Sequence, residues 1–192
     1  LNFQSLKTRP AKIEQKVFKE MIRMTQFAVS HEEARYVLNG ILIQIEEKQI
    51  RMVATDGRRL AKIEKEIEAA AQENLSVIIP IKAIQEIYRN LKDVGYISIV
   101  AGLNQVLFDI EGTLIASRII EGEFPNYHQV IPKPTKNAVQ LNTKEFLSAI
   151  RRADLLSTPD FQAIKFKIFT DKMVISKTTP DVGESREEIG AQ

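Results

Sequence analysis

Lys16-Val17-Phe18-Lys19-Glu20-Met21-Ile22-Arg23 decides the architecture, because its pattern returns twice. It recurs as Lys82-Ala83-Ile84-Gln85-Glu86-Ile87-Tyr88-Arg89 and as Lys144-Glu145-Phe146-Leu147-Ser148-Ala149-Ile150-Arg151. The copies start 66 and then 62 residues apart, and self-similarity at such a period marks a repeated structural unit. In each copy the larger apolar residues fall at i, i+3 and i+4: Phe18, Met21 and Ile22; Ile84, Ile87 and Tyr88; Phe146, Ala149 and Ile150. That spacing predicts three amphipathic helices. Pro80 and the Asn142-Thr143 pair punctuate the second and third starts, proline through its fixed φ and asparagine as a cap.

Outward from each helix the sequence turns β-like. The first unit predicts strands over 36–45, 50–54 and 59–67, with Asp56-Gly57 as a hairpin turn because Gly accepts φ > 0. The second predicts 96–100, 105–110 and 113–120, and the third 163–169, 173–178 and 184–189. A short strand is expected before the second and third helices, at 77–79 and 138–141. The unit is therefore strand–helix–three strands, about 60 residues, present three times, in an α+β chain. Residues 1–11 show no periodicity and read as a tail. Its Leu1-Asn2-Phe3-Gln4-Ser5 resembles a tag remnant. The polar, Ala-rich stretch 68–76 links units one and two, and the Pro/Lys run 132–136 is an inter-domain linker.

Composition narrows the function classes. The 192 residues are 44% apolar and 27% charged, enough for a packed core and unlike a disordered or fibrous chain. No apolar run reaches the roughly 18–20 residues of a membrane helix. The absence of cysteine removes disulfides and thiolate-bound metals, and two distant histidines, His31 and His128, argue against a histidine-built centre or triad. No metal and no cofactor are expected. No phosphate loop, nucleophile elbow or spaced ligand set occurs, which argues against an enzyme. A net charge of +2 is too small to bind a polyanion in bulk, so any such binding rests on arrangement.

The helices supply that arrangement. At ~100° per residue the Lys two places before the first apolar residue, and the Arg five places after it, lie about 140–160° from it. Lys16 and Arg23, Lys82 and Arg89, and Lys144 and Arg151 thus stand opposite the buried stripes, with Lys19 near the same face. Any surface helix solvates its lysines. Threefold recurrence of the pair also fits helices that hold phosphates without reading bases.

Two stretches carry a resemblance. They are Thr25-Gln26-Phe27-Ala28-Val29-Ser30-His31-Glu32-Glu33-Ala34-Arg35-Tyr36-Val37-Leu38-Asn39-Gly40 and Val53-Ala54-Thr55-Asp56-Gly57-Arg58-Arg59-Leu60-Ala61. With Gly122-Glu123-Phe124-Pro125-Asn126-Tyr127, Val130-Ile131-Pro132 and Arg151-Arg152-Ala153-Asp154-Leu155-Leu156-Ser157, the chain strongly resembles the bacterial sliding-clamp family, the β subunit of DNA polymerase III. The resemblance implies the DNA-clamp fold: repeated units with helices on one face of antiparallel sheets, two units to a domain. It makes 12–131 a complete middle domain (units 12–67 and 77–131) and 137–192 the first half of a third domain.

The implied function is a replication processivity factor, not an enzyme. It would encircle duplex DNA without sequence preference and tether the polymerase III catalytic subunit, the clamp loader and other clients, in the bacterial cytoplasm at the nucleoid. The intact protein would be a ring-shaped homodimer, and this piece would not close that ring. Client peptides would dock in a groove between the second and third domains, lined by Leu38, Thr55, Gly57, Arg58, Arg59, Leu60, Pro125, Gln129, Val130 and Phe161. Arg58 stands where the family often has His, and Gln129 where it can carry Arg. Arg35 and Tyr36 join the helix cations as DNA-facing residues, Leu155 and Leu156 match the ring interface, and Glu184, Glu187 and Glu188 match its acidic edge loosely. The rival reading is a tandem-repeat α+β nucleic-acid-binding protein that does not encircle its ligand.

Overall fold

A computed structural model of the chain describes residues 10–67, 74–133 and 138–192. Most of the expected tail, most of the expected 132–136 linker and residues 68–73 of the expected 68–76 link lie outside the described residues. Contacts divide the chain into two compact units, one ending at Tyr127 and one starting at His128.

The first unit runs β1 (Ala11–Glu14), α1 (Gln15–Thr25), β2 (Gly40–Glu46), β3 (Gln49–Thr55), β4 (Leu60–Glu66), β5 (Leu75–Pro80), α2 (Ile81–Asn90), β6 (Tyr96–Ala101), β7 (Gln105–Ile110) and β8 (Thr113–Arg118). These strands form two four-stranded antiparallel sheets, β4-β3-β2-β5 and β1-β6-β7-β8. The strand leading into each helix belongs to the other repeat's sheet. β5 pairs with β2 (Ile41 opposite Ile79), and β1 pairs with β6 (Ile13 opposite Ile97). The exchange interlocks the two repeats. Neither could be removed without leaving the other with a bare sheet edge.

The predicted apolar stripes face one shared core. Phe18, Met21 and Ile22 of α1, Ile84 and Ile87 of α2, Ile41, Ile43 and Ile45 of β2, and Phe108 of β7 are all buried in it. The Phe18 and Phe108 rings meet at 6.4 Å between centroids. At about 1.5–3 kcal/mol per fully buried large side chain, this cluster drives the folding of the unit. No side chain caps α1. Its buried Gln15 instead donates its backbone N–H to the Gly95 carbonyl (3.0 Å), and its Oε1 accepts the Lys92 amide (2.8 Å), tying the helix start to the loop before β6.

Three local expectations change. The strand over 36–45 begins only at Gly40; Glu33–Leu38 form a 3-10 segment. Its Asn39 amide donates to the Tyr36 carbonyl and the Ser30 amide to the Leu38 carbonyl, local bonds that win over the β preference of Tyr36 and Val37. β1 has no counterpart among the expected strands, being four residues beside an unpatterned start. The strand expected at 138–141 is reduced to one rung, in which Gln140 and Gln192 exchange N–H···O bonds of 2.7 and 3.1 Å.

The second unit holds α3 (Thr143–Asp154) over a three-stranded antiparallel sheet, β11-β10-β9, made of β9 (Lys165–Ile168), β10 (Lys172–Thr179) and β11 (Gly183–Gly190). Asn142 caps α3 through its Oδ1, which accepts the Lys144 and Glu145 amides at 3.0 and 3.2 Å. The core is small, Ala149, Ala153, Met173, Ile175 and Ala191 flanked by Leu141, Phe146, Ile164 and Ile189. All four residues of β9 are exposed. Among the described residues no helix is long and apolar enough to cross a membrane.

Candidate functional site

Two surfaces of the first unit gather most of the nominated residues. On α1 and α2, which touch one another, Lys16, Arg23, Lys82 and Arg89 are exposed opposite the core stripe. Lys19 is half-buried and pairs with Asp93 at 3.2 Å, and Arg89 pairs with Glu86 at 2.9 Å. Glu20 on α1 is held by Lys65 at 3.4 Å. Among the described residues no carboxylate pairs with Lys16, Arg23 or Lys82, so their charge remains available to a polyanion. On α3 of the second unit, Lys144 and Arg151 are likewise exposed and unpaired among the described residues, while Arg152 beside them is engaged by Glu187.

The second surface is the β3–β4 turn. Asp56 organises it. One carboxylate oxygen accepts the Arg58 and Arg59 amides at 2.9 and 3.0 Å, and the other accepts Arg59 Nε at 3.1 Å. The Arg59 and Arg58 backbone donors hold the Asp56 carboxyl down at about 2, so it is fully charged at neutral pH. Thr55 Oγ1 donates to the Arg59 carbonyl (2.7 Å) and accepts the Gly57 amide (3.1 Å). Gly57 sits at φ 87°, and a Cβ there would lie 2.5 Å from Arg35 Nη1. Arg35 reaches that far because its Nη1 donates to the Asp56 carbonyl at 3.2 Å. A nominated DNA-facing residue and the nominated peptide-binding turn are therefore joined by one bond. The Arg59 guanidinium lies 5.8 Å from the ring centroid of exposed Phe27.

Beneath this turn the sheet β4-β3-β2-β5 carries a second apolar layer on the face away from the core. Leu42, Val53 and Ile78 stand side by side across β2, β3 and β5, and Tyr127 covers them. Val37, Leu60, Ile120 and Phe124 pack around that cluster. Leu60 is half-buried, with one side on the cluster and the other on the surface. Leu38, at 6% exposed, offers little surface; its neighbour Val37 takes the outward place. Gly122 admits the 36–37 segment closely, since a Cβ there would meet Val37 Cγ1 at 2.8 Å. Pro125 is exposed between Phe124 and Tyr127. Sequence reading passes over Val37, Phe124 and Tyr127. The signal is present in the unbroken apolar runs Ile41-Leu42-Ile43 and Val77-Ile78-Ile79, which betray strands covered on both faces.

Polar groups frame the same face. Tyr127 Oη donates to Gln44 Oε1 (3.0 Å), which also accepts Arg51 Nη1 (3.4 Å). Arg51 Nε in turn donates to Glu64 at 2.7 Å. That bond pulls the Glu64 pKa down and pushes the Arg51 pKa up.

The remaining nominated residues belong to the second unit. Gln129 and Val130 are exposed near its start. Phe161 is 46% exposed and Leu155 82% exposed, both in the loop between α3 and β9, where Leu156 is half-buried. Two of the three acidic residues matched to the interface, Glu187 and Glu188, are occupied internally. Glu187 accepts Arg152 Nε at 2.7 Å, and Glu188 accepts Lys172 at 2.7 Å and Arg186 at 3.3 Å. These bonds lower both carboxyl pKa values. Among the described residues no group of three His, Cys, Asp or Glu is placed to hold a metal.

Comparison with known proteins agrees with this fold. Residues 12–126 match the family model for the DNA polymerase III beta subunit, central domain, and residues 128–192 that for its C-terminal domain. The chain is 36% identical over 186 residues to a beta sliding clamp of Halalkalibacterium halodurans, covering 94% of this chain and 49% of that one. It is 32% identical over 168 residues to one of Chlamydia pneumoniae, covering 88% and 46%. The DNA polymerase sliding clamp of Bacillus subtilis superposes with a TM-score of 0.90 at 32% identity, covering 97% of this chain and 50% of that one. A sliding clamp from Pseudomonas aeruginosa bound to griselimycin gives 0.87 at 28% identity, covering 98% and 50%. The chain spans about half the length of the curated relatives it matches.

Proposed function

The chain belongs to the DNA polymerase III β-subunit family, and from that premise we propose that it serves in a sliding clamp, a non-catalytic processivity factor of bacterial DNA replication. The observation that carries the reading is the pair of touching helices α1 and α2, which turn unpaired Lys16, Arg23 and Lys82 away from one shared core. Cations so placed attract phosphates without reading bases. A ring of such helices holds duplex DNA loosely, and topological linkage then keeps clients near the primer end at high effective concentration. The ring is a homodimer of clamp chains, of whose length this chain spans about half. Its partners are duplex DNA, the polymerase III catalytic subunit, the clamp loader and other peptide-bearing clients, in the bacterial cytoplasm.

Each unit offers its own part of a client-peptide surface. On the first, Leu60 and Val37 over the outer apolar cluster supply an apolar floor. Gly57 admits a ligand to the backbone, and Arg58 and Arg59 meet carbonyl or carboxylate oxygens. Leu38, Thr55 and Pro125 support that floor. On the second, Gln129, Val130 and Phe161 are the contributing residues, and Leu155 with Leu156 is the ring-interface edge. The expected domain limits of 12–131 and 137–192 keep Gln129 and Val130 with the middle domain, whereas contacts group them with the second unit, which starts at His128.

Griselimycin, found on the Pseudomonas aeruginosa clamp, is a ready probe. Titrated into the labelled chain, it should shift amides over 55–60 and 125–130, and Leu60→Arg should abolish those shifts by placing a charge in the apolar floor. Shifts confined to other regions would overturn the assignment.

A further inference from the structure

One buried charge has no role in either candidate surface. On β10, residues 173, 175, 177 and 179 alternate onto the face beneath α3, and all four are buried. The first two, Met173 and Ile175, build the apolar core. The third is Lys177, only 2% exposed, where the two-residue period calls for another apolar side chain. An ammonium is not placed there without compensation, since burying an unpaired charge is costly. Lys177 Nζ donates to the Phe161 carbonyl at 2.5 Å and to the Ala163 carbonyl at 3.1 Å. Thr179, two residues on, donates its hydroxyl to the Leu156 carbonyl at 2.6 Å.

These three bonds hold the loop from α3 to β9 at both ends. Within the loop, Thr158 and Phe161 exchange N–H···O bonds of 3.2 and 3.1 Å. The Phe161 carbonyl thus takes two donors, the Thr158 amide and the Lys177 ammonium, and its backbone is fixed from both sides. β9 begins only at Lys165, so without Lys177 the Ala163 carbonyl would lose this donor and the Phe161 carbonyl would keep only the Thr158 amide. The loop keeps Phe161 and Leu155 at the surface while its backbone is anchored from below.

We propose that Lys177 is the positioning residue for Phe161, fixing the loop so that the ring stays presented for a client peptide, with Thr179 doing the same for the Leu155-Leu156 end. The proposal rests on the client-binding role proposed for Phe161. The chemistry is that of a charge-assisted bond to a carbonyl, stronger than a neutral one.

The test uses the whole 192-residue chain, with Lys177→Met, Lys177→Gln, Lys177→Arg, Thr179→Val and Phe161→Ala, and griselimycin as the probe. In Lys177→Met the carbonyl 13C signals of Phe161 and Ala163 should move and the Thr158 and Phe161 amides should exchange faster. The β10–β11 ladder should stay protected, and probe affinity should fall about tenfold, with Lys177→Arg recovering part of it. Phe161→Ala should weaken the probe as well, and adding Lys177→Met to it should cost nothing further, because both act through one ring. Should Lys177→Met fail to fold, Lys177→Gln, too short to span both carbonyls, takes its place. If Phe161→Ala weakens the probe while the Lys177 variants leave affinity unchanged, the inference falls and the reading of Phe161 stands. If Phe161→Ala itself leaves affinity unchanged, Phe161 is not part of the binding surface and both fall.

Discussion

Asp56 concentrates more of the site's chemistry than any cation around it. Three donors converge on its carboxylate, which lowers its pKa from the ordinary 3.8 to about 2. The folded pKa lies below the unfolded one, so the turn gains stability above the ordinary value and loses it as pH falls through about 2. An NMR titration of the Asp56 side-chain carboxyl should therefore show a midpoint near 2. A midpoint at 3.8 or higher would mean that the Arg58 and Arg59 amides do not cap it. Gly57 is the companion case: its φ of 87° is strained for any residue with a Cβ, and Gly57→Ala should destabilise the first unit by about 1 kcal/mol. The same change displaces Arg35 from the Asp56 carbonyl, so the Arg35 side-chain signals should move with it. Gly57 is legible in the sequence as a turn, because Asp-Gly pairs announce themselves. Arg35 over Gly57 is not, because that contact joins positions 22 residues apart in sequence and no local pattern encodes it. Lys177 leaves a faint trace, a charged residue on the inward row of β10, which only the register makes meaningful.

At the scale of elements, the helices are the most legible part of the chain and the pairing of the strands before them the least. The i, i+3, i+4 pattern locates all three helices within a few residues, since amphipathic periodicity is local information. The reciprocal exchange of β1 and β5 is long-range. Ala11 meets Ile99 across most of the first unit, and the sequence alone places each pre-helix strand in its own repeat. The exposed helix faces carry a prediction about binding. Duplex DNA should bind the chain weakly and without sequence preference. Affinity should fall steeply with salt, because only phosphate attraction to residues such as Lys16, Arg23 and Lys82 is available. Replacing Lys16 and Arg23 by Gln should flatten the salt slope by about two, measured by fluorescence anisotropy from low to moderate salt. Sequence-specific binding that survives high salt would contradict the role of these faces. A separate prediction concerns α3, among the described residues the only one of the three α-helices with a side-chain cap. Asn142→Ala should lower the stability of the second unit by about 1 kcal/mol in a denaturant titration and leave the first unit unchanged.

For the whole molecule, the two units differ in how much core each commands. The first buries Phe18, Phe108 and Met21 with a long run of isoleucines from two sheets and two helices. It has a second apolar layer around Leu42, Val53 and Ile78 as well. The second rests on Met173 and Ile175 together with Ala149, Ala153 and Ala191, and the three alanines contribute little transfer free energy each. Its strand β9 is exposed along its whole length, with Phe166 and Ile168 about half accessible. In the first unit the equivalent strand β2 is paired on both sides. Ordering a residue costs about 1–2 kcal/mol of backbone entropy wherever it sits, so the unit with less apolar burial per residue has the smaller margin. Its bonds, Arg152 to Glu187 and Lys172 to Glu188, are exposed ion pairs, of the kind that add little. The units should therefore unfold separately. Residue-resolved hydrogen exchange with rising denaturant should show 165–168 opening first, the rest of 138–192 next, and 41–45 and 50–54 last. The order follows from burial alone. A single transition in which β9 and β2 lose protection at the same denaturant concentration would show that the second unit draws stability from beyond its own small core, and that the two cores do not fold independently.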